Sequence, residues 1–63
     1  MKCIPSHITE DLELIRATIR GCDQALAANL ETWERGEFRS ARESAVANLT
    51  ARESAIAAWL DAA

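Results

Sequence analysis

The sequence predicts an all-α protein, an antiparallel hairpin of two long helices that forms one domain over residues 1–63. Three observations support this fold class. Apolar residues recur every three or four positions through the first half of the chain, which is the spacing of one helix face. Only one proline and two glycines interrupt the 63 residues. The alternating β-branched and aromatic runs that indicate strands are absent from the sequence.

The first predicted helix covers about residues 7–34. Ser6 or Thr9 can cap its start, and the acidic residues that follow complement the positive end of the helix dipole. Its apolar side chains fall in a stripe about 80° wide, which continues in phase across Gly21. We therefore expect one continuous helix there, with a kink or the close approach of another backbone as the alternatives. The stripe consists of Ile8, Leu12, Ile15, Ile19, Cys22, Leu26, Leu30 and Trp33.

The second predicted helix covers about residues 37–62, because Gly36 suits the left-handed position that follows a helix end. A short turn makes the two helices antiparallel neighbours, so facing residues have numbers that add up to about 71. This register places Trp33 against Phe38. The helix face opposite the first helix carries only small residues, namely Ser40, Ser44, Ala47, Ala51, Ala55, Ala58 and Ala62.

The second helix contains the segment ARESA twice, at residues 41–45 and 51–55. Ten residues advance a helix by about 280° after full turns are removed, so equivalent residues lie on different faces. The doubled segment therefore does not form a repeated site. Arg52 lies within the apolar stripe, between Leu49 and Ile56. We expect its stem to lie along Trp59, or its guanidinium to pair across a dimer interface with one of three acids. Those acids are Glu13, Asp23 and Glu53.

The size of the chain predicts a homodimer. A domain of 63 residues buries little surface by itself and usually needs disulfides, a metal or a partner chain. Cys3 and Cys22 do not form a disulfide framework, and we expect Cys22 to be a core residue and Cys3 a free thiol. Two hairpins would form a four-helix bundle. The predicted core and dimer interface consists of Ile8, Leu12, Ile15, Ile19, Cys22, Leu26, Leu30, Trp33, Phe38, Leu49, Arg52, Ile56, Trp59 and Leu60.

The sequence argues against catalysis, metal binding and membrane insertion. It contains none of the common nucleophile, phosphate-binding, dinucleotide-binding or zinc-protease motifs, so we expect no catalytic residue and no cofactor. His7 is the only histidine, which leaves a zinc site short of ligands. No apolar run approaches the roughly 18 residues that span a bilayer, and the N-terminus does not resemble a signal peptide. We therefore expect a cytoplasmic protein.

Protein binding is the function class that remains favoured. The net charge is −3, and glutamates interleave with Arg35, Arg39 and Arg42, which disfavours nucleic-acid binding. Small RNA-binding dimers of helical hairpins share this architecture, but this sequence matches them only in length and helix count. Arginine and exposed apolar residues dominate protein-binding hot spots, so the candidate partner-binding residues are Leu14, Arg35, Arg39 and Arg42.

The segment ALAANLETWERGEFRSARESAVANL, together with the closing AAWLDAA, lies within residues 25–63. It resembles the small alanine- and arginine-rich helical hairpins encoded in the early regions of bacteriophage genomes, among them quorum-sensing anti-activators. The resemblance implies a dimeric hairpin that binds and inhibits a bacterial host protein, such as a transcriptional regulator or a motor ATPase. The resemblance assigns no role to any individual residue. Anti-CRISPR proteins share this size and origin and are an equally compatible alternative.

Overall fold

The computed structural model describes residues 3–62 and contains two helices. Helix α1 extends over Ser6–Ala27 and helix α2 over Thr32–Asp61, with residues 28–31 between them. The helices pack side by side in opposite directions, and residues 3–62 contain no strand. The structure thus confirms the all-α helical hairpin that the sequence predicts.

Helix α1 begins at a proline rather than at a side-chain cap. The carbonyl of Pro5 accepts hydrogen bonds from the amides of Ile8 and Thr9, at 3.1 and 3.3 Å, and no side chain caps this end. The predicted cap at Ser6 or Thr9 is therefore wrong, because both residues lie inside the helix. The helix continues without interruption through Gly21, and a Cβ atom added there would meet nothing within 4 Å. The structure confirms the continuous helix.

The turn lies about six residues earlier than the sequence predicts, so the predicted bounds at residues 34 and 37 are wrong. Ala28 leaves α1 with extended backbone, at φ −81° and ψ 167°. Glu31 starts α2, and its amide donates to Oε1 of Glu34 at 3.2 Å in a capping box. Gly36 lies inside α2, and no residue in 3–62 has a positive φ. The capping box determines the boundary because Gly36 adopts helical angles as readily as left-handed ones.

Arg35 ties the start of α2 to the end of α1. Its Nη1 donates to the carbonyl of Leu26 at 3.3 Å, and its Nη2 donates to the carbonyl of Ala28 at 3.4 Å. Carbonyls at a helix C-terminus lack partners within the helix and carry partial negative charge. The half-buried guanidinium supplies donors and positive charge there, so it stabilises the turn.

Three ion pairs between the helices define the register of the hairpin. Their residue numbers add up to between 63 and 69, compared with the predicted value of about 71. Trp33 and Phe38, which were expected to face each other across the seam, both belong to α2. The first turn of α2 thus extends beyond the last turn of α1. The pairs are Asp11 with Arg52, Arg16 with Glu53, and Asp23 with Arg42.

The hydrophobic core between the helices is thin. Among the described residues only Leu12 and Cys22 are buried, at 8% and 6% exposure. Cys22 is a free thiol in the core, as expected, whereas Cys3 is free and exposed. The other apolar seam residues are half-buried, namely Ile8, Ile15, Ile19, Leu26, Leu30, Val46, Leu49 and Ile56. The large apolar side chains that stay exposed are Ile4, Leu14, Trp33, Phe38, Trp59 and Leu60.

Candidate protein-binding surfaces

Most arginines lie on one side of the hairpin, which we call the arginine side. At about 100° per residue, five arginines fall on this side of the seam, and two of them form ion pairs, with Glu53 and Asp23. Each partner in these pairs is between 41% and 52% exposed, so each pair contributes little stability. The five residues are Arg16, Arg20, Arg35, Arg39 and Arg42.

The opposite side of the seam, which we call the alanine side, is poor in charge. With the same rotation of about 100° per residue, mostly small or apolar side chains fall on the alanine side. Its charged residues are Asp11 and Arg52, with Glu34 and Glu37 near the turn. The hydroxyl of Thr18 is satisfied by the carbonyl of Leu14, at 3.0 Å. The alanine side is defined by Thr18, Ala25, Ala41, Ala45, Ala55 and Trp59.

Arg52 lies on the alanine side and is paired within its own chain. Its Nη1 lies 3.5 Å from Oδ2 of Asp11, and its Nε donates to Oδ1 of Asn48 at 3.1 Å. Its side chain is 47% exposed. Within the hairpin, Arg52 pairs with none of the three acids proposed from the sequence, Glu13, Asp23 and Glu53, because the observed register brings Asp11 opposite it; a pairing across a dimer interface stays a prediction. The structure pairs Asp23 and Glu53 with other arginines.

Of the four predicted partner-binding residues, two are engaged inside the hairpin. Arg35 donates to the carbonyls at the end of α1, and Arg42 donates through Nε to Oδ1 of Asp23 at 2.5 Å. Leu14 is 66% exposed on the outer face of α1. Arg39 is exposed on the arginine side, and no ion pair within residues 3–62 involves it. Leu14 and Arg39 are therefore the two whose side chains face solvent.

Trp33 is the most exposed of the large apolar residues in the described chain, at 69%. It stands on the outer face of α2 and lines a shallow groove with Gly36, Ser40 and Ser44. The predicted small-residue face of α2 is exposed along its whole length, from Ser40 to Ala62. Trp33 occupies the turn end of this face. Sequence reasoning placed Trp33 in the seam, and the pattern that could have corrected this is the pair of glutamates at positions 31 and 34, which marks the start of a helix.

A second apolar surface lies at the open end of the hairpin, where the chain enters α1 and α2 ends. It is a groove of about 350 Å³ on the alanine side. Trp59 is 44% exposed there, and Ile4 is 40% exposed. Ile8, Ile56 and Trp59 belong to the interface predicted from the sequence, whereas Ile4 and Pro5 do not, because their position depends on how the chain enters α1. The lining residues are Ile4, Pro5, Ile8, Ala55, Ile56 and Trp59.

The described residues do not assemble a metal centre. Within residues 3–62, no three His, Cys, Asp or Glu side chains come close enough to hold a metal ion. In the same range, neither helix combines the length and the apolar character needed to span a membrane.

The fold and these surfaces define a class of protein, a small all-α helical hairpin with apolar side chains exposed at both ends. Comparison with protein-family models gives no match, and neither a curated protein nor a solved structure matches the chain. The surfaces themselves are therefore the basis for a functional proposal.

Proposed function

We propose that this protein is a non-enzymatic, homodimeric helical hairpin that binds a host protein stoichiometrically and inhibits it in the bacterial cytoplasm. A transcriptional regulator or a motor ATPase is the kind of target that the sequence resemblance implies. The observation that carries the proposal is the exposure of Trp33, at 69%, on a helix face turned away from the seam. Tryptophan is among the residues most enriched in protein-binding hot spots.

The surroundings of Trp33 suit a helical or extended segment of a partner protein. Gly36, Ser40 and Ser44 line the groove beside the indole ring, and their small side chains allow a partner backbone to come close. The carboxylate of Glu37 lies at the rim of the same groove. This rim favours a basic residue in the partner through electrostatic complementarity. The partner segment is thus expected to combine an apolar anchor with a lysine or an arginine.

A homodimer is supported by the thin core of the single hairpin. Within residues 3–62, Leu12 and Cys22 alone are buried, whereas a stable domain normally contains several fully buried side chains. Burial of further apolar surface contributes about 25 cal/mol per Å². A second hairpin would provide that burial without any change in the fold of the first.

Nucleic-acid binding is the rival function, and the arginine side is the observation that favours it. However, Asp23 and Glu53 neutralise two of the five arginines there, and Arg35 is bonded to backbone carbonyls. Only Arg20 and Arg39 remain outside these contacts, which is a small charge for displacing counterions from a phosphate backbone. An anti-CRISPR protein would act as an inhibitor through the same surfaces.

A matched pair of variants tests the role of Trp33. The wild-type hairpin, Trp33→Ala and Leu14→Ala are each immobilised and exposed to bacterial lysate, and the retained protein is identified and purified. Isothermal titration then measures its affinity for each variant. Leu14, which is 66% exposed on the other helix, is the alternative anchor predicted from the sequence. We expect Trp33→Ala to weaken binding at least about tenfold and Leu14→Ala to weaken it less. Equal affinity of Trp33→Ala and wild type would contradict the proposal.

A salt titration separates the two function classes. Binding of the hairpin to duplex DNA and to structured RNA is measured between low and physiological salt. Affinity for nucleic acid that falls steeply with salt would favour the rival function, because phosphate contacts release counterions. We expect no measurable affinity for either nucleic acid at physiological salt.

A further inference from the structure

The single hairpin exposes more surface than a compact monomer of its mass. Its accessible surface is 4768 Å², whereas a folded monomer of 6.9 kDa is expected to expose roughly 4000 Å². The excess is therefore roughly 800 Å², and one partner in a stable interface of standard size buries about 800 Å². One additional copy of the chain would cover the surface that the hairpin leaves exposed.

The two sides of the hairpin differ in their suitability for this contact. The arginine side carries five arginines and two of the three interhelical ion pairs, Arg16–Glu53 and Asp23–Arg42, so a second copy placed there would have to bury several exposed charges. The alanine side carries one arginine, Arg52, which is already paired with Asp11. Interface cores are depleted of charge and enriched in aromatic residues. The alanine side matches this description.

Apolar grooves lie at both ends of the alanine side. At the open end, Ile8, Ile56 and Trp59 line the groove described above. At the turn end, Phe38 and Ala41 line a second groove, with Trp33, Glu34 and Glu37 around it. Phe38 is 36% exposed. The turn end is therefore aromatic and acidic, whereas the open end is apolar.

The acidic turn decides how two copies align. If both turns lay at the same end of the bundle, Glu31, Glu34 and Glu37 of each copy would approach those of the other, which is unfavourable. With the ends reversed, Phe38 of each copy lies opposite the open-end groove of the other. The twofold axis that relates the two copies then crosses α2 midway between Phe38 and Trp59, close to Asn48. The side chain of Asn48 accepts from Arg52 at this point.

We infer that a second copy of the chain packs on the alanine side with its ends reversed, so that Phe38 of each copy enters the open-end groove of the other. The inference rests on the proposed homodimer and assigns its interface. The arginine side stays outside this interface, whereas Trp33, Glu37 and Ala41 line both the turn-end groove and the outer groove of Trp33. A partner protein that binds Trp33 would therefore lie at the edge of the dimer interface.

Two alanines, two positions apart on α2, test the choice of side. Ala55 lines the groove on the alanine side, whereas Ala57 lies on the arginine side with Arg16 and Glu53. Both are exposed, and substitution by glutamate changes charge, size and helix propensity equally. We expect Ala55→Glu to raise the dimer dissociation constant by about 100-fold or more, because each copy then places a carboxylate in the interface. We expect Ala57→Glu to change it less than about threefold.

The measurements are sedimentation equilibrium and circular dichroism at matched chain concentrations. Ala55→Glu can lose helicity either because the dimer dissociates or because a glutamate destabilises the helix. Ala57→Glu carries the same added charge, so its helicity separates these two causes. Dissociation by Ala57→Glu with no effect of Ala55→Glu would overturn the assignment of the side and leave the homodimer intact. A wild-type chain that stays folded as a monomer would instead remove the homodimer from the proposed function.

A spin label at Asn29 tests the alignment. This residue lies in the loop at the turn end, and Cys3→Ser and Cys22→Ala provide a background without other thiols. With the ends reversed, the two labels of a dimer lie about 40 Å or more apart, from the 1.5 Å rise per residue of α2, near opposite ends of a hairpin 49 Å long. A distance below about 25 Å would place both turns at one end and overturn the reversed alignment.

Discussion

Arg35 joins the two helices at the turn, and its removal is expected to destabilise the hairpin. Its guanidinium donates to two carbonyls at the end of α1, at 3.3 and 3.4 Å. Substitution by alanine leaves these acceptors to water and removes a positive charge from the negative end of the α1 dipole. The substitution alters neither the capping box at Glu31 nor the apolar seam.

The size of the effect follows from the geometry. A hydrogen bond from a charged donor contributes about 1.5–3 kcal/mol when its geometry is good. Both bonds here exceed the usual 2.7–3.2 Å range, so each falls below that value, and the charge–dipole term adds about 0.3–1 kcal/mol. We expect Arg35→Ala to lower the free energy of unfolding by about 1–2 kcal/mol per chain, or about 5–15 °C in Tm.

Thermal and urea denaturation, followed by circular dichroism at one chain concentration, measure this loss. Arg35→Lys keeps the charge but cannot reach two carbonyls with one planar group, so we expect about half of the loss. Arg39→Ala is the matched control, because Arg39 is exposed one turn further along the same helix, and we expect a change below about 0.5 kcal/mol. If Arg35→Ala and Arg39→Ala were equally stable, the role given to Arg35 at the turn would be refuted.

Three further predictions concern the rest of the hairpin. Gly21→Ala should raise the free energy of unfolding by about 1 kcal/mol in a urea titration, because the added methyl group meets nothing within 4 Å; a loss of stability would indicate a contact with another chain. A thiol reagent should modify exposed Cys3 quickly and buried Cys22 only on unfolding; equal rates would show that the seam is open. Asp11→Asn should weaken the dimer about tenfold or more, because Arg52 then enters the interface without its ion-pair partner. Adding Arg52→Met should restore the dimer affinity measured by sedimentation, and no effect of Asp11→Asn would place the pair outside the interface.

The fold class could be predicted from the sequence because one apolar stripe runs in phase along most of α1. Leu12 and Cys22, which both belong to that stripe, are the two residues within 3–62 that the structure buries. The turn was misplaced because Leu30 and Trp33 continue the same period beyond the helix end. Gly36 then offered a plausible C-terminal position. Periodicity does not reveal where a helix ends, whereas the capping box starting at Glu31 does.

The exposed surfaces could be predicted less well, because they depend on register. The observed turn lies several residues before the predicted one, so Trp33 lies on the outer face of α2 and not in the seam. The same difference in register pairs Arg52 with a different acid, Asp11. The observed turn also brings Arg35 within reach of the end of α1, where its guanidinium donates to backbone carbonyls. Leu14 was placed well because its position depends only on α1, where it is 66% exposed.

Sedimentation equilibrium of the wild-type chain at micromolar concentration tests the central claim, that this hairpin functions as a homodimer. We expect a folded species of twice the 6.9 kDa chain mass, with helicity that falls on dilution as the dimer dissociates. A stable, fully helical species of a single chain mass across the same concentrations would contradict it.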